Sequence, residues 1–334
     1  MSAPRDPAAL LDAATGGDRV SLAQLLSMVE RGGSSSRAVA QLVYRRPPPY
    51  TVGLTGAPGS GKSTLTDQLI TAARGGWPGT SDDQVDGALD QVAVLAVDPS
   101  SPFTGGAILG DRVRMQQHAT DPSVFIRSMA TRGHLGGLTL AVPEAVRVLG
   151  AVGIPLVLLE TVGVGQMEVE VASAADTTLV VVTPGWGDSM QANKAGLLEV
   201  ADLFVINKAD RPGAAEARRD LNQMLDLGVA GDWRPPIVET SAIDGVGVDD
   251  LWAEVARHRA HLLATGKFET RRATRLETEL RRVLAARLAA QIDRGQAGEG
   301  FAEALRALCE GRLDPYEAAD RLLGRADSPT DSPE

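Results

Sequence analysis

The chain has 334 residues, of which 43% are hydrophobic and 23% charged, so it is long enough to bury a substantial core. Its formal net charge of −10 argues against nonspecific nucleic-acid binding, which requires a basic surface. We expect a cytoplasmic protein without a membrane partner, because no apolar run approaches a membrane span, the N-terminus lacks an apolar signal core and the single cysteine cannot form an intrachain disulfide.

Residues 1–46 predict an N-terminal helical segment. Asp6 followed by Pro7 is typical of a helix start, and Ser21 to Gln24 form a capping-box pattern ahead of an apolar run. Two helices are therefore expected before Glu30. The run from Arg45 to Pro49 is a stiff connector into the next segment.

The segment from Tyr50 to Leu65 predicts a phosphate-binding loop, because an apolar strand pattern breaks into a glycine-rich loop and continues as a helix. A coincidental glycine-rich turn is the alternative, which this strand–loop–helix order disfavours. In such a loop backbone N–H groups surround the phosphates, Lys62 reaches the outer phosphates and the Ser63 hydroxyl binds Mg²⁺. The predicted nucleotide-binding residues are Gly56, Gly59, Ser60, Gly61, Lys62, Ser63 and Thr64.

Three acidic residues are candidates for holding Mg²⁺ beside this loop. Asp98 follows the strand candidate at 91–97, Asp111 follows a glycine-rich loop, and Glu160 ends a second apolar run. Ligands lie at the carboxyl ends of parallel strands, and nucleotide-bound Mg²⁺ keeps several waters, so one carboxylate would hold a metal-bound water. Capping a turn or helix is the alternative for Asp98 and Asp111. Gly163 follows Glu160 and can offer a backbone N–H to the γ-phosphate.

The run from Asn207 to Asp210 predicts the choice of base. The Asp210 carboxylate can accept hydrogen bonds from the ring N–H and the exocyclic amine of guanine, whereas adenine has no matching pair of donors. Lys208 can lie along the plane of the base. Ser241 and Ala242 follow a further strand candidate and can contact the guanine oxygen. A polar strand-to-loop turn is the alternative, but the position downstream of a phosphate loop favours GTP and GDP.

From residue 47 to 265, strand patterns alternate with helical patterns, which predicts an α/β fold: a P-loop GTPase domain with a mostly parallel sheet flanked by helices. The polar run from Trp77 to Asp90 is expected to be an exposed insertion. His258 and His261 share a helical face by spacing and are expected on a solvated surface.

Residues 266–324 predict a C-terminal helical arm, and residues 325–334 a disordered tail. An apolar stripe runs along the first helix of the arm at three- and four-residue spacing, and it needs its own core or a second subunit to cover it. Cys309 lies in a helical pattern and is expected to be buried. The stripe comprises Leu276, Leu280, Val283, Leu284, Leu288 and Ile292.

Three long motifs carry a family resemblance: Asp98 to Met115, Glu160 to Gln166, and Pro184 to Gly196. Together with the Asn207 run they resemble the methylmalonyl-CoA mutase-associated GTPases, and the similarity covers about Asp6 to Gly324. The resemblance implies a GTP-hydrolysing chaperone that gates adenosylcobalamin delivery to an acyl-CoA mutase, such as methylmalonyl-CoA mutase, and protects that mutase. It also implies a homodimer.

The same resemblance implies three switch segments, at 98–111, 160–166 and 184–194. The third would couple the nucleotide state to the mutase. In that segment Lys194 would offset charge that develops on the phosphates, and in the second segment Gln166 is a candidate for positioning the attacking water. The residues implied in partner coupling are Asp188, Gln191 and Lys194.

Two other functional classes share the phosphate loop. A metal-inserting GTPase would need histidine or cysteine ligands near that loop, and the chain has only four histidines and one cysteine. A small-molecule kinase would need a second pocket with a general base. The long switch motifs favour the chaperone over both.

Overall fold

The computed structural model describes most of the chain in nine stretches, which group into two compact units that divide between Glu277 and Thr278. The stretches are residues 6–78, 89–99, 118, 120–131, 137–161, 174–186, 200–227, 231–293 and 298–322.

Three helices precede the first strand: α1 (Pro7–Thr15), α2 (Arg19–Arg31) and α3 (Gly33–Val43). The predicted start at Asp6 is confirmed, because its carboxylate accepts a hydrogen bond from the Ala8 N–H. The predicted cap at Ser21 is wrong. Asp18 caps α2 instead by accepting from Val20 and Ser21, which places Ser21 inside the helix. The third helix was not predicted.

The described residues form a seven-stranded sheet in the order β3-β2-β4-β1-β5-β6-β7, and every neighbouring pair is parallel. The predicted mostly parallel α/β fold is confirmed. The sequence analysis located five of these strands but not β3 or β5. The strands are β1 (Tyr50–Thr55), β2 (Val92–Pro99), β3 (Val124–Thr131), β4 (Leu156–Thr161), β5 (Thr177–Val182), β6 (Leu203–Asn207) and β7 (Ile237–Thr240).

Helices cover both faces of the sheet, so its strands are almost continuously apolar and buried. Among the described residues, the helices between β1 and residue 265 are α4 (Lys62–Arg74), α5 (Gly137–Ala151), α6 (Ala214–Leu227) and α7 (Val248–Ala264). Alternate residues of β2 and β4 face opposite sides: one set packs with α1–α3 and α5, the other with α4 and α7. The N-terminal helices therefore share a core with the sheet.

Two expectations of exposure are wrong. Trp77 is buried, with its ring stacked on that of Trp252 at 4.6 Å between centroids; residues 79–88 of the expected insertion lie outside the described part. His258 is fully buried, because the period of α7 places it on the core face with Val255 and Leu262. Its Nδ1 atom lies 2.8 Å from the Thr177 hydroxyl.

Two buried aspartates stand at the amino ends of the central strands. Asp176 precedes β5 and binds Arg272 at 2.8 Å, and also Arg275. Asp202 precedes β6 and binds Arg271 at 2.9 Å. The three arginines lie in the first turns of a long helix, α8 (Lys267–Asp293). Burial disfavours the charge on Asp176, but hydrogen bonds from Arg272 and the charge of Arg275 hold its pKa below the usual value.

The second unit contains the rest of α8, then α9 (Gly298–Cys309) and α10 (Pro315–Leu322). Cys309 is exposed, so the expectation of a buried thiol is wrong: the buried face of α9 is formed by Ala304 and Ala307. Within the described ranges, no helix combines the length and apolar character that a membrane crossing needs. The tail at 325–334 lies outside those ranges.

Acidification should weaken the fold through Asp176. Its pKa is lowered in the folded state, so its ion pairs stabilise the protein above the unfolded pKa of about 3.9 and are lost as the pH falls through the folded value. We expect Asp176→Asn to lower the free energy of unfolding at pH 7 by about 3 kcal/mol, because two arginines lose their counter-charge. We also expect the free energy of unfolding of Asp176→Asn to fall less than that of the wild type when the pH is lowered from about 5 to about 3.

Urea denaturation at pH 7, 5, 4 and 3 measures this difference, with Asp12→Asn as the control because Asp12 is exposed. Equal pH dependence in wild type and Asp176→Asn would contradict the assignment.

Candidate functional site

The site is built where the carboxyl ends of β1, β4, β6 and β7 meet. The loop after β1 can turn there only because it is rich in glycine. Gly56 has φ 138° and Gly61 has φ 91°. A Cβ atom on Gly56 would lie 2.1 Å from the Val181 oxygen, and one on Gly61 would lie 2.4 Å from Asn207 Nδ2. Both positions therefore require glycine.

Lys62 begins α4 and is buried inside the loop. Its Nζ atom donates to the carbonyl oxygens of Gly56 and Ala57, at 2.6 and 3.1 Å. The ammonium group therefore lies within the curl of the loop, at the positive end of the α4 dipole. An anion bound by the backbone N–H groups of the loop and of the first turn of α4 would contact Lys62 directly. Ser60, Gly61, Ser63 and Thr64 adjoin it in the same turn.

Ser63 and Glu160 lie next to each other at the foot of this loop. The Ser63 hydroxyl donates to Glu160 Oε1 at 2.6 Å, and both side chains are buried. One comes from the first turn of α4 and the other from the end of β4, which pairs with β1. A hydroxyl and a carboxylate together offer the oxygen ligands that Mg²⁺ prefers, so these residues fit the ion. Asp98 is the penultimate residue of β2, two positions beyond Ala96, the partner of Glu160 in the sheet.

Asn207 joins the phosphate loop to the loops expected to read the base. Its Nδ2 atom donates to the Ser60 carbonyl oxygen at 2.8 Å. Its Oδ1 atom accepts from the Ala242 N–H at 3.1 Å and from the Thr240 hydroxyl at 3.2 Å. The amide group is buried, and these contacts fix its orientation.

The other base-reading candidates surround Asn207. Lys208 has φ 60° and its Nζ atom donates to the Gly59 oxygen at 2.7 Å, so its side chain crosses the phosphate loop. Asp210 is exposed, with one oxygen 3.2 Å from the Ser241 hydroxyl. The structure thus brings together Asn207, Lys208, Asp210, Ser241 and Ala242 on one edge of the loop.

Several predicted residues lie outside the described part: Asp111, Gly163, Gln166, Asp188, Gln191 and Lys194. Thr240, which begins the stretch expected to contact the guanine oxygen, orients Asn207 through its side chain. Asp244 is a neighbour of the site to which sequence analysis assigned no role, and it accepts a 2.6 Å hydrogen bond from Ser241. The spacing could have identified Asp244, because an acidic residue three positions after a serine is typical of a turn in which the two side chains form a hydrogen bond.

The comparison with protein families agrees with this geometry. The family model described as "Methylmalonyl Co-A mutase-associated GTPase MeaB" matches residues 22–297. A protein of Pyrococcus abyssi named as a GTPase is 45% identical over 92% of this chain and 93% of its own length. GTPase ArgK of Escherichia coli is 36% identical over 76% of each chain.

A solved structure described as a LAO/AO transport system kinase has the same fold, with a TM-score of 0.68 and 26% identity. It covers 97% of this chain, and the match takes in 99% of that structure. The likeness extends over the sheet and both sets of helices, so the architecture is that of a known P-loop protein.

Base selectivity should change when Asp210 is replaced by asparagine. The amide offers one donor and one acceptor in place of two acceptors, which suits xanthine better than guanine. Charged hydrogen bonds are worth about 1.5–3 kcal/mol each, so we expect GTP affinity to fall at least tenfold and xanthosine triphosphate affinity to rise. Calorimetry with both nucleotides measures this, with the exposed Asp249→Asn as the control. Unchanged GTP affinity would place the base elsewhere.

Proposed function

The chain belongs to the family of methylmalonyl-CoA mutase-associated GTPases, and we propose that it is the GTP-hydrolysing chaperone of an adenosylcobalamin-dependent acyl-CoA mutase. Methylmalonyl-CoA mutase is the first candidate for the partner. In this proposal the chain acts in the cytoplasm, gates delivery of the cobalamin cofactor and protects the mutase. The observation that supports the GTPase part is the buried Asn207 amide, which bonds to both the phosphate loop and the loop proposed to contact guanine.

Hydrolysis would start from an exchange of internal contacts. Lys62 would leave the Gly56 and Ala57 oxygens for the β- and γ-phosphates, where its charge stabilises the transition state. Ser63 and Glu160 would separate to hold Mg²⁺, either directly or through a bound water, with Asp98 and Asp111 as further candidates. Mg²⁺, when bound, neutralises charge on the phosphate oxygens. Gly163 would contact the γ-phosphate, and Gln166 would orient the attacking water.

Coupling to the mutase is assigned to the segment at 184–194, which follows β5. The carbonyl oxygen of Val181, near the end of β5, lies so close to Gly56 that no side chain fits between them. The segment that follows β5 therefore begins within a few residues of the phosphate loop. We assign the contact with the partner to Asp188, Gln191 and Lys194.

The chain is proposed to act as a homodimer through its C-terminal arm. Four leucines of the α8 stripe are between 43% and 58% exposed: Leu276, Leu280, Leu284 and Leu288. An exposed apolar row of this length is typical of an interaction surface. We divide the chain into a helical segment at 1–46, a GTPase domain at 47–265, the arm at 266–324 and a tail at 325–334.

One alternative function is the transfer of the γ-phosphate to a small molecule, because a similar solved structure is described as a kinase. A kinase transfers the γ-phosphate to its acceptor and therefore releases little free phosphate, whether or not the acceptor is present. Phosphate release from the purified chain with GTP alone therefore separates the two reactions.

Stimulation by the mutase should depend on Lys194. We expect an acyl-CoA mutase from the same cells to accelerate GTP hydrolysis by the wild type. Lys194→Ala should keep the slow basal rate of GTP hydrolysis. Its rate in the presence of the mutase should fall at least tenfold, because the lysine acts only when the partner moves its segment. Lys267→Ala is the matched control, since this exposed lysine pairs with Asp232.

Equal stimulation of wild type and Lys194→Ala would reject the role of this residue. No stimulation of the wild type by any acyl-CoA mutase would reject the chaperone assignment.

The oligomeric state should depend on the stripe. Replacing Leu280 and Leu284 together by glutamate should convert a dimer into a monomer, because four charges would enter an apolar interface. Light scattering measures the mass. Leu227→Glu serves as the control, because Leu227 is an exposed leucine on α6. A dimer that survives the double change would place the interface elsewhere.

A further inference from the structure

The hydroxyl group of Ser241 lies between two carboxylates. Its Oγ atom is 2.6 Å from Asp244 Oδ2 and 3.2 Å from Asp210 Oδ1. A serine hydroxyl has one hydrogen, so it cannot donate fully to both. The shorter contact is at the distance of a charge-assisted bond and the longer one is near the limit, so the hydrogen lies on the Asp244 side.

The loop geometry keeps Asp244 in this position. The backbone N–H of Asp244 donates to the Ser241 carbonyl at 3.1 Å, and Ser241 and Val246 exchange two backbone hydrogen bonds. Gly245 and Gly247, with φ of 71° and 75°, allow the chain to turn this tightly. Asp244 is therefore held over Ser241 by the backbone, independently of any ligand.

Asp210 is affected by this arrangement because it depends on Ser241. It is exposed on a loop, and within the described residues Ser241 is its hydrogen-bond donor. When the hydrogen lies on Asp244, two oxygens face each other at 3.2 Å and the Asp210 carboxylate is poorly fixed. Guanine must then order that carboxylate as it binds, which reduces its affinity.

We propose that Asp244 is a positioning residue that competes with Asp210 for the Ser241 hydroxyl and thereby weakens guanine binding and speeds GDP release. The proposal rests on guanine recognition by Asp210, as proposed above. The protein would then control nucleotide exchange internally. The carboxylate that accepts the hydrogen bond from the Ser241 hydroxyl would determine how long GDP stays bound.

Removal of the competitor should slow GDP release. In Asp244→Ala the hydroxyl is free to donate to Asp210, which pre-orders its two oxygens. One such hydrogen bond corresponds to roughly a three- to tenfold slower dissociation, measured by stopped-flow displacement of a fluorescent GDP analogue. The preference for GDP over inosine diphosphate should rise as well, because inosine lacks the exocyclic amine and gains less from a fixed carboxylate.

Two further variants separate hydroxyl competition from charge. In the Ser241→Ala background there is no hydrogen to share, so adding Asp244→Ala should leave GDP release unchanged. Asp244→Asn keeps an acceptor oxygen without the charge and should give an intermediate rate. Asp249→Ala removes a nearby exposed carboxylate from the first turn of α7 and should match the wild type.

Unchanged or faster release in Asp244→Ala would overturn the proposal. So would an equal effect of Asp244→Ala with and without Ser241, which would assign the effect to charge repulsion. If Asp210→Asn leaves GDP affinity unchanged, guanine recognition at Asp210 fails and this inference with it. If Asp210→Asn weakens GDP binding while Asp244→Ala has no effect, only this inference fails.

Discussion

The nucleotide site depends on the side-chain amide of Asn207. Through it the loop after β1 is tied to the loops after β6 and β7, which carry the residues that we propose read the base. All three contacts are buried, so no water can replace a lost partner without cost. An aspartate here would lack the donor that reaches Ser60, and a leucine would lack donor and acceptor together. One polar side chain thus fixes the distance between the phosphate loop and the loops proposed to read the base.

The strands that carry these loops are fixed at their opposite ends as well. Asp176 and Asp202, at the amino ends of β5 and β6, are bonded to arginines of α8. At the carboxyl ends the backbone of β5 contacts Gly56, and β6 ends in Asn207 itself. Strands held at both ends in a close-packed sheet move little. We therefore expect changes between nucleotide states to occur in the connections beyond the strand ends.

Sequence patterns predicted the site better than its surroundings. The phosphate loop and the Asn207 run were found because each function needs fixed residues at fixed local spacing. Errors arose where a neighbour distant in sequence decides the outcome. His258 and Trp77 are buried because α7 packs on the sheet and Trp252 stacks on Trp77. The ion pair of Asp176 with Arg272 joins residues far apart in the chain, and no local pattern marks either partner.

Three of the described polar groups that face the nucleotide position are bonded within the protein. Lys62 binds loop carbonyls, Ser63 binds Glu160, and Ser241 binds Asp244. Binding GTP therefore exchanges existing hydrogen bonds for new ones, and only the difference in free energy contributes to affinity. Tight ground-state binding would not raise the rate of hydrolysis, because only interactions that strengthen in the transition state do so. Internal competitors for the ligand's contacts thus favour turnover and release over retention, which suits a protein that must alternate between two nucleotide states.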